Sequence, residues 1–304
     1  MKISSYNEWD SLQSVVLGSA TGANWPTTDP VFSQEQQHTA WLDTPVPAGA
    51  VPSAVVEQAN YDLAQLENTL VGLGVQVARP ATRDFVATSG MYNYCPRDRF
   101  LIAGDRVVDT AMMYPCRDQE RECYQHVFSN QEIITMPRNS GLVLDAANIC
   151  RLGDTWLYQI SRSGNAAALE WLRKQFPEIN IEATEFYGGV HIDSTVAPLR
   201  EGFVVLNGRR VTSQNCPKAF DGWTKIYVKN MVPQDFYQYP YASAWIGMNM
   251  LAVNPNTVIV DSAQVELMEQ LVKHGFNVIP MQLRHSRTLG GGFHCVTLDL
   301  ERSK

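Results

Sequence analysis

The chain has 304 residues, 45% of them apolar and 18% charged, with a formal net charge of −7, which suits one large domain or two ordinary ones. The acidic balance and the lack of any Lys/Arg cluster argue against nucleic acid as a partner and suit a small cationic substrate, and no apolar run approaches membrane-spanning length. The six cysteines, Cys95, Cys116, Cys123, Cys150, Cys216 and Cys295, show no CxxC spacing, so they read as reduced thiols in a cytoplasmic setting, without tight zinc or iron–sulfur ligation.

The opening, Met1-Lys2-Ile3-Ser4-Ser5-Tyr6-Asn7-Glu8, shows neither an apolar signal core nor an arginine-rich transit character. A first strand is expected at Val15-Val16-Leu17. Residues 20–54 follow, rich in Pro, Thr, Gln and Ala, with Pro26, Pro30, Pro45, Pro47 and Pro52 scattered through them. Such a stretch predicts an irregular insertion or lid. Val56 to Leu73 carries Ala59, Leu63, Leu66 and Leu70 at helical spacing, stops at Gly74 and gives way to Val75-Gln76-Val77. Further apolar runs begin at Leu101, Leu157, Val204 and Leu251, separated by 56, 47 and 47 residues. Hairpin turns are expected at Gly104-Asp105, Asn207-Gly208 and Asn254-Pro255-Asn256. Helices are expected over Ala166 to Phe176 and Gln264 to His274, each leading into an extended segment. Lys218 to Ala242 reads as a second irregular stretch, whose Tyr237, Tyr239 and Tyr241 suit a pocket wall or surface packing. A hairpin–helix–strand unit of about fifty residues suggests a propeller or array. Five to six such units would fill residues 1–304 as one closed, pseudo-symmetric α/β domain. Periodicity alone also fits an open α/β sandwich.

Near the end, Leu289-Gly290-Gly291-Gly292-Phe293-His294-Cys295 places a thiol between a glycine run and the alternating strand Val296 to Leu300. Glycines allow close backbone approach to a small substrate, and a thiol there is either a nucleophile or an inert buried cysteine. Four earlier polar clusters could converge on it: Pro96-Arg97-Asp98, Asp145-Ala146-Ala147-Asn148, His191-Ile192-Asp193 and Arg209-Arg210. A thiolate attacking a guanidinium carbon needs that planar cation held by carboxylates, for which Asp98 and Asp193 are candidates. His191 suits proton transfer at the amines, Asp145 suits holding its imidazole, and Arg210 suits binding a carboxylate. Each also has an ordinary reading. Asp145 fits a helix cap, Asp98 a surface pair with Arg97 or Arg99, His191 a packed residue and Arg210 a solvated hairpin end.

The motifs resemble those of the glycine amidinotransferase and inosamine-phosphate amidinotransferase family, within the guanidine-modifying pentein group. The resemblance spans nearly the whole chain, through Ser5 to Asp10, Met91-Tyr92, Pro96-Arg97-Asp98, Asp145-Ala146-Ala147, Glu170 to Arg173, His191-Ile192-Asp193, Trp245 with Met248-Asn249, and Leu289 to Cys295. It implies a five-bladed α/β propeller, a pseudo-fivefold ring of ββαβ modules, and possession of neither cofactor nor metal. It further implies ping-pong transfer of the amidino group of L-arginine through an amidino-cysteine, releasing L-ornithine, with glycine the default acceptor and guanidinoacetate the product. By resemblance Cys295 is the nucleophile, His191 the acid/base and Asp145 its partner. Asp98 and Asp193 would hold the guanidinium, while Arg210 and Ser243 would contact the amino-acid portion of arginine. Relatives suggest a homodimer, although the sequence shows no interface signature.

The chain departs from the family at several places. Asn148 stands where members often have Asp, and Ala242 where they have a second Ser. Tyr187-Gly188-Gly189-Val190, ahead of the histidine, lacks the Asn and Met of glycine-using relatives, so Gly188 and Val190 suggest a roomier wall and an acceptor other than glycine. A hydrolase of the same group, such as an arginine deiminase, and a non-catalytic guanidine-binding protein are the alternatives.

Overall fold

Strand pairing sorts the described residues into five three-stranded sheets of one design, plus a two-stranded pair. A computed structural model describes residues 1–38 and 47–303. In four sheets an antiparallel hairpin is joined by a third strand running parallel to the hairpin's second strand. These are Phe100–Ala103, Arg106–Asp109 and Ile133–Thr135, then Ile149–Arg151, Thr155–Gln159 and Asn180–Thr184. The next two are Val196–Arg200, Phe203–Asn207 and Thr224–Val228, then Leu251–Asn254, Thr257–Asp261 and Asn277–Met281. The fifth sheet joins the two ends of the chain. Ser11–Leu17 pairs antiparallel with Thr297–Ser303 and parallel with Gln76–Ala78.

The helix Ser53–Gly72 crosses between the strands of that end-joining sheet. It buries Val55, Ala59, Leu63, Leu66 and Leu70 along one face, the i, i+3/i+4 stripe that the sequence displays. Ala166–Gln175 starts where the Asn165 side chain accepts from the Ala168 N–H at 2.9 Å, an ordinary N-cap. Val265–Lys273 supplies the third crossover helix. The other two crossovers are not α-helical, containing the 3-10 turns Pro115–Tyr124 and Lys218–Phe220. Strands such as Phe203–Asn207 are buried throughout and therefore read as continuous apolar runs rather than alternations.

Several expectations need correction. The apolar runs at Leu101 and Leu251 lie in first hairpin strands, whereas those at Leu157 and Val204 lie in second strands. The true first strands begin at Phe100, Ile149, Val196 and Leu251, which are 49, 47 and 55 residues apart. Asn207-Gly208 is not a hairpin turn; the hairpin closes at Glu201-Gly202, where Gly202 has φ 78°. The first strand of that hairpin was hidden by Pro198, which sits at a register shift, the position where a strand tolerates proline. The 20–54 segment is partly regular. Asn24–Trp25 pairs with Gly49–Ala50, and Pro30–His38 is helical, begun by Asp29 Oδ1 accepting from Val31 N at 2.9 Å. The centre of the expected lid, residues 39–46, lies outside the described residues. The second irregular stretch contains the strand Thr224–Val228. No helix among the described residues is long and apolar enough to cross a membrane.

Candidate active site

The segments just ahead of successive first strands converge. Asp98 lies two residues before Phe100, Asp145 four before Ile149, Asp193 three before Val196, Asn249 two before Leu251 and Cys295 two before Thr297. A strand start is thus the common address of these polar groups, one from each sheet. Asp98, Asp145, Val190, His191, Asp193, Arg210, Ser243 and Cys295 all line one cavity of about 350 Å³. Gly188 does not. It is exposed with open space around it, and the wall is formed instead by Gly189, over which the Tyr187 ring packs.

Cys295 is buried, and its Sγ donates to Asp193 Oδ2 at 3.2 Å while its N–H donates to Asn249 Oδ1 at 2.9 Å. A hydrogen bond with Cys95, then burial and the Asp193 charge, push the thiol well above its usual pKa, against a lowering bond to His191. The glycine run serves packing more than substrate approach. A Cβ on Gly291 would stand 2.4 Å from Cys95 Sγ, and one on Gly292 would stand 2.6 Å from Asn249 Cβ. Only Gly290 of the three lines the cavity.

His191 lies 3.0 Å through Nε2 from Asp145 Oδ2 and 3.6 Å through Nδ1 from Asp98 Oδ1. Burial alone would lower its pKa, but Asp98 and Asp145 and the bond with Cys295 hold the imidazole well above the usual value. Asp145 does precede the short turn Ala146–Asn148, yet its side chain makes no cap bond; Oδ1 accepts from Met113 N at 2.8 Å instead. Among the described residues His191 is one of three non-glycine residues with positive φ, at 52°, a strained backbone of the kind that needs local support. Tyr187 provides it, its hydroxyl reaching the carbonyls of both Val190 and His191.

Asp98 is no surface partner of Arg97 or Arg99. It is buried against Arg117, whose Nη1 donates to Oδ2 at 2.7 Å, while Oδ1 has no hydrogen bond among the described residues. Burial raises its pKa, opposed by His191 and Arg117. A buried carboxylate oxygen without a hydrogen bond is costly, and a guanidinium N–H would satisfy it. Asp193 is held down to about 2: burial would raise it, but His294 outweighs that with a bond at 3.0 Å to Oδ2. The other ring nitrogen of His294 faces Glu8 Oε2 at 3.3 Å. Arg210 stacks 3.7 Å over the Tyr187 ring and donates to Thr195 Oγ1 at 2.9 Å and Ser194 Oγ at 3.1 Å. Ser243 sits at the N-terminal end of the 3-10 turn Ala244–Met248. Asn148 is buried behind the cavity on Ser163, and Ala242 lines the cavity.

Arg117, His294, Tyr187 and Asn249 were not assigned roles from sequence. His294 and Asn249 stood inside quoted motifs, so their positions carried a signal. Arg117 stood in none. Of the three tyrosines suited to a pocket wall or to surface packing, Tyr241 lines the cavity, hydrogen-bonded to Tyr114 at 3.1 Å. Tyr237 and Tyr239 pack on Trp25 instead.

No family model matches the chain. Individual proteins do. Inosamine-phosphate amidinotransferase 1 of Streptomyces griseus is 36% identical, covering 99% of this chain and 97% of its own length. Mitochondrial glycine amidinotransferase of Xenopus tropicalis is 26% identical over 99% of this chain and 83% of its own. The solved structure of the Streptomyces griseus inosamine-phosphate enzyme superimposes with a TM-score of 0.90 at 34% identity, over 99% of this chain and 97% of that one. A fold likeness alone extends to DDAH from Pseudomonas aeruginosa, with a TM-score of 0.68 at 13% identity over 95% of this chain and 99% of that one. The shared α/β fold of mixed sheets is that of the pentein group, and the chain belongs to the amidinotransferase family.

Proposed function

We propose that the protein transfers the amidino group of L-arginine to a primary amine through a covalent amidino-Cys295. The observation that carries this reading is the single cavity that gathers one thiol, one imidazole and the carboxylates of Asp98, Asp145 and Asp193. The five sheets are inferred to close as a five-bladed ring in one domain. Support comes from the chain ends sharing a sheet and from the five equivalent strand-start positions.

In this mechanism Asp98 Oδ1 and Asp193 accept N–H bonds from the guanidinium. Arg210 and Ser243 hold the amino-acid end of arginine. The bound cation lowers the raised thiol pKa, so Cys295 loses its proton to solvent and attacks the guanidino carbon. Protonated His191 donates to the departing nitrogen as the C–N bond breaks, and ornithine leaves. The neutral imidazole, oriented by Asp145, then takes a proton from the incoming amine as that nitrogen bonds the amidino carbon. The C–S bond breaks and the thiolate returns.

Glycine was the default acceptor on resemblance. The relative with 36% identity is named for an inosamine phosphate, which favours a phosphorylated amino-cyclitol as the first acceptor to test. Incubation with arginine alone should release one ornithine per site and add one amidino group to Cys295 by mass, with Cys295→Ala giving neither. Predominant citrulline, unaffected by added amines, would replace the transferase with a hydrolase. Arginine binding with no adduct would leave a binding protein.

A further inference from the structure

Three arginines line the cavity: Arg117, Arg162 and Arg210. Their engagement differs. Arg117 is spent on Asp98, both oxygens of Glu120 and the Cys95 carbonyl. Arg210 is held by Ser194, Thr195 and the Tyr187 ring. Arg162 is bound by its Nε alone, at 2.9 Å from Glu35 Oε1. Its two terminal nitrogens have no partner among the described residues.

The placement of Arg162 is fixed from behind. It sits at the tip of a tight turn closed by Ser161 N to Gly164 O at 2.8 Å. The next residue, Ser163, is fully buried; its carbonyl accepts from Asp145 N at 2.7 Å and its hydroxyl from Asn148 Nδ2 at 2.8 Å. The turn carrying Arg162 is therefore bonded directly to the backbone of the histidine's carboxylate partner. Its side chain remains 43% exposed, against 13% for Glu35. Glu35 comes from the helix Pro30–His38, whose Phe32 packs on Tyr114 and Tyr241, two residues that line the cavity.

Building on the amidinotransferase reading, we infer that Arg162 is a specificity-determining residue that binds a phosphate carried by the amine acceptor. Arg210 serves the donor's α-carboxylate, and the two terminal nitrogens of Arg162 form a second two-pronged oxyanion site. Glu35 fixes the guanidinium through Nε and, as a neighbouring anion, limits how strongly it attracts.

The test uses the full chain and two acceptor pairs that differ only by phosphate: ethanolamine with O-phosphoethanolamine, and an inosamine with its monophosphate. A charge-assisted contact should give the wild type at least about a tenfold preference in kcat/KM for the phosphorylated member of one pair or both. Arg162→Gln should abolish that preference by raising the acceptor KM, Arg162→Lys should restore part of it, and Glu35→Gln should lower the KM of phosphorylated acceptors. Ornithine release from arginine in a single turnover, which reads the donor half alone, should follow none of these changes. The inference is overturned by a wild type indifferent to phosphate in both pairs, by a preference that survives in Arg162→Gln, or by an equal loss in the donor half-reaction. An absence of ornithine release from the wild type would instead overturn the amidinotransferase reading beneath it.

Discussion

His191 and Cys295 carry opposite demands on protonation, and the structure raises both. In the proposed mechanism the thiol must lose its proton before attack, and its pKa stands well above the usual value because of Cys95, burial and Asp193. In the same mechanism the imidazole must keep its proton to release ornithine, and despite burial Asp98 and Asp145 hold its pKa well above the usual value. As pH rises, kcat/KM should increase while the thiol deprotonates and fall once His191 loses its proton, giving a bell centred on the alkaline side of neutrality. His191→Gln should lower kcat by about 10²–10⁴-fold and remove the alkaline limb. A stopped-flow pH series on both proteins checks this, and near-wild-type rates in the variant would remove the histidine from the mechanism.

At the scale of elements, the loop ahead of each first strand holds the chemistry while the sheets hold the loops. The segment Gly290 to Cys295 shows how little tolerance that leaves. Gly291 has Cys95 Sγ, Cys295 Cβ and Tyr94 Cε1 within 3.2 Å of where a Cβ would stand. Gly291→Ala should therefore displace Cys295, costing about 1–3 kcal/mol of stability. It should lower kcat more than it raises the arginine KM, because Asp98 and Arg210 are untouched. Denaturant unfolding and steady-state kinetics on the same preparation separate the two effects. The glycine run was legible in sequence, but its reason was not: the close neighbours of Gly291 and Gly292 are Cys95 and Asn249, from distant segments.

Across the whole molecule, a buried ionic hub ties the chain ends to the sheets that begin at Phe100 and Ile149. Arg151 donates to Glu8 at 2.9 Å and to Asp299 at 2.5 Å, and Arg302 donates to Asp299 at 2.8 Å, with Arg97 also bound to Asp299. Burial would raise the pKa values of Glu8 and Asp299, yet Arg151 and its neighbours hold both well below the ordinary carboxylate values. Removing one partner of such a pair strands the other charge, so Arg151→Met should cost about 3–5 kcal/mol, read as a lowered denaturant midpoint. The sign of the pH effect follows from the lowered pKa values. The unfolded chain binds protons on these groups first, so their stabilisation is complete above about pH 4.5. It is lost as pH falls through the folded values. Melting temperature should drop steeply below pH 4.5 in the wild type, and a flat profile there would remove the hub from the stability of the fold. The hub also reaches the site, since His294 bridges Glu8 to Asp193.

The sequence by itself determined the helix stripe of Ala59, Leu63, Leu66 and Leu70, the hairpins at Gly104-Asp105 and Asn254-Pro255-Asn256, and the motif residues about Cys295 and His191. All of these are set by neighbours within a few positions, through side-chain periodicity and turn chemistry. Pro198 masked a strand because its role at a register shift depends on the partner strand. Tertiary structure decided which charges lose water and which cations face them: Arg117 on Asp98, His294 on Asp193, Tyr187 beneath Arg210, Glu35 on Arg162. Those pairings join residues from 19 to 127 positions apart. Desolvation and Coulomb energy depend on distance in space, which no local pattern encodes.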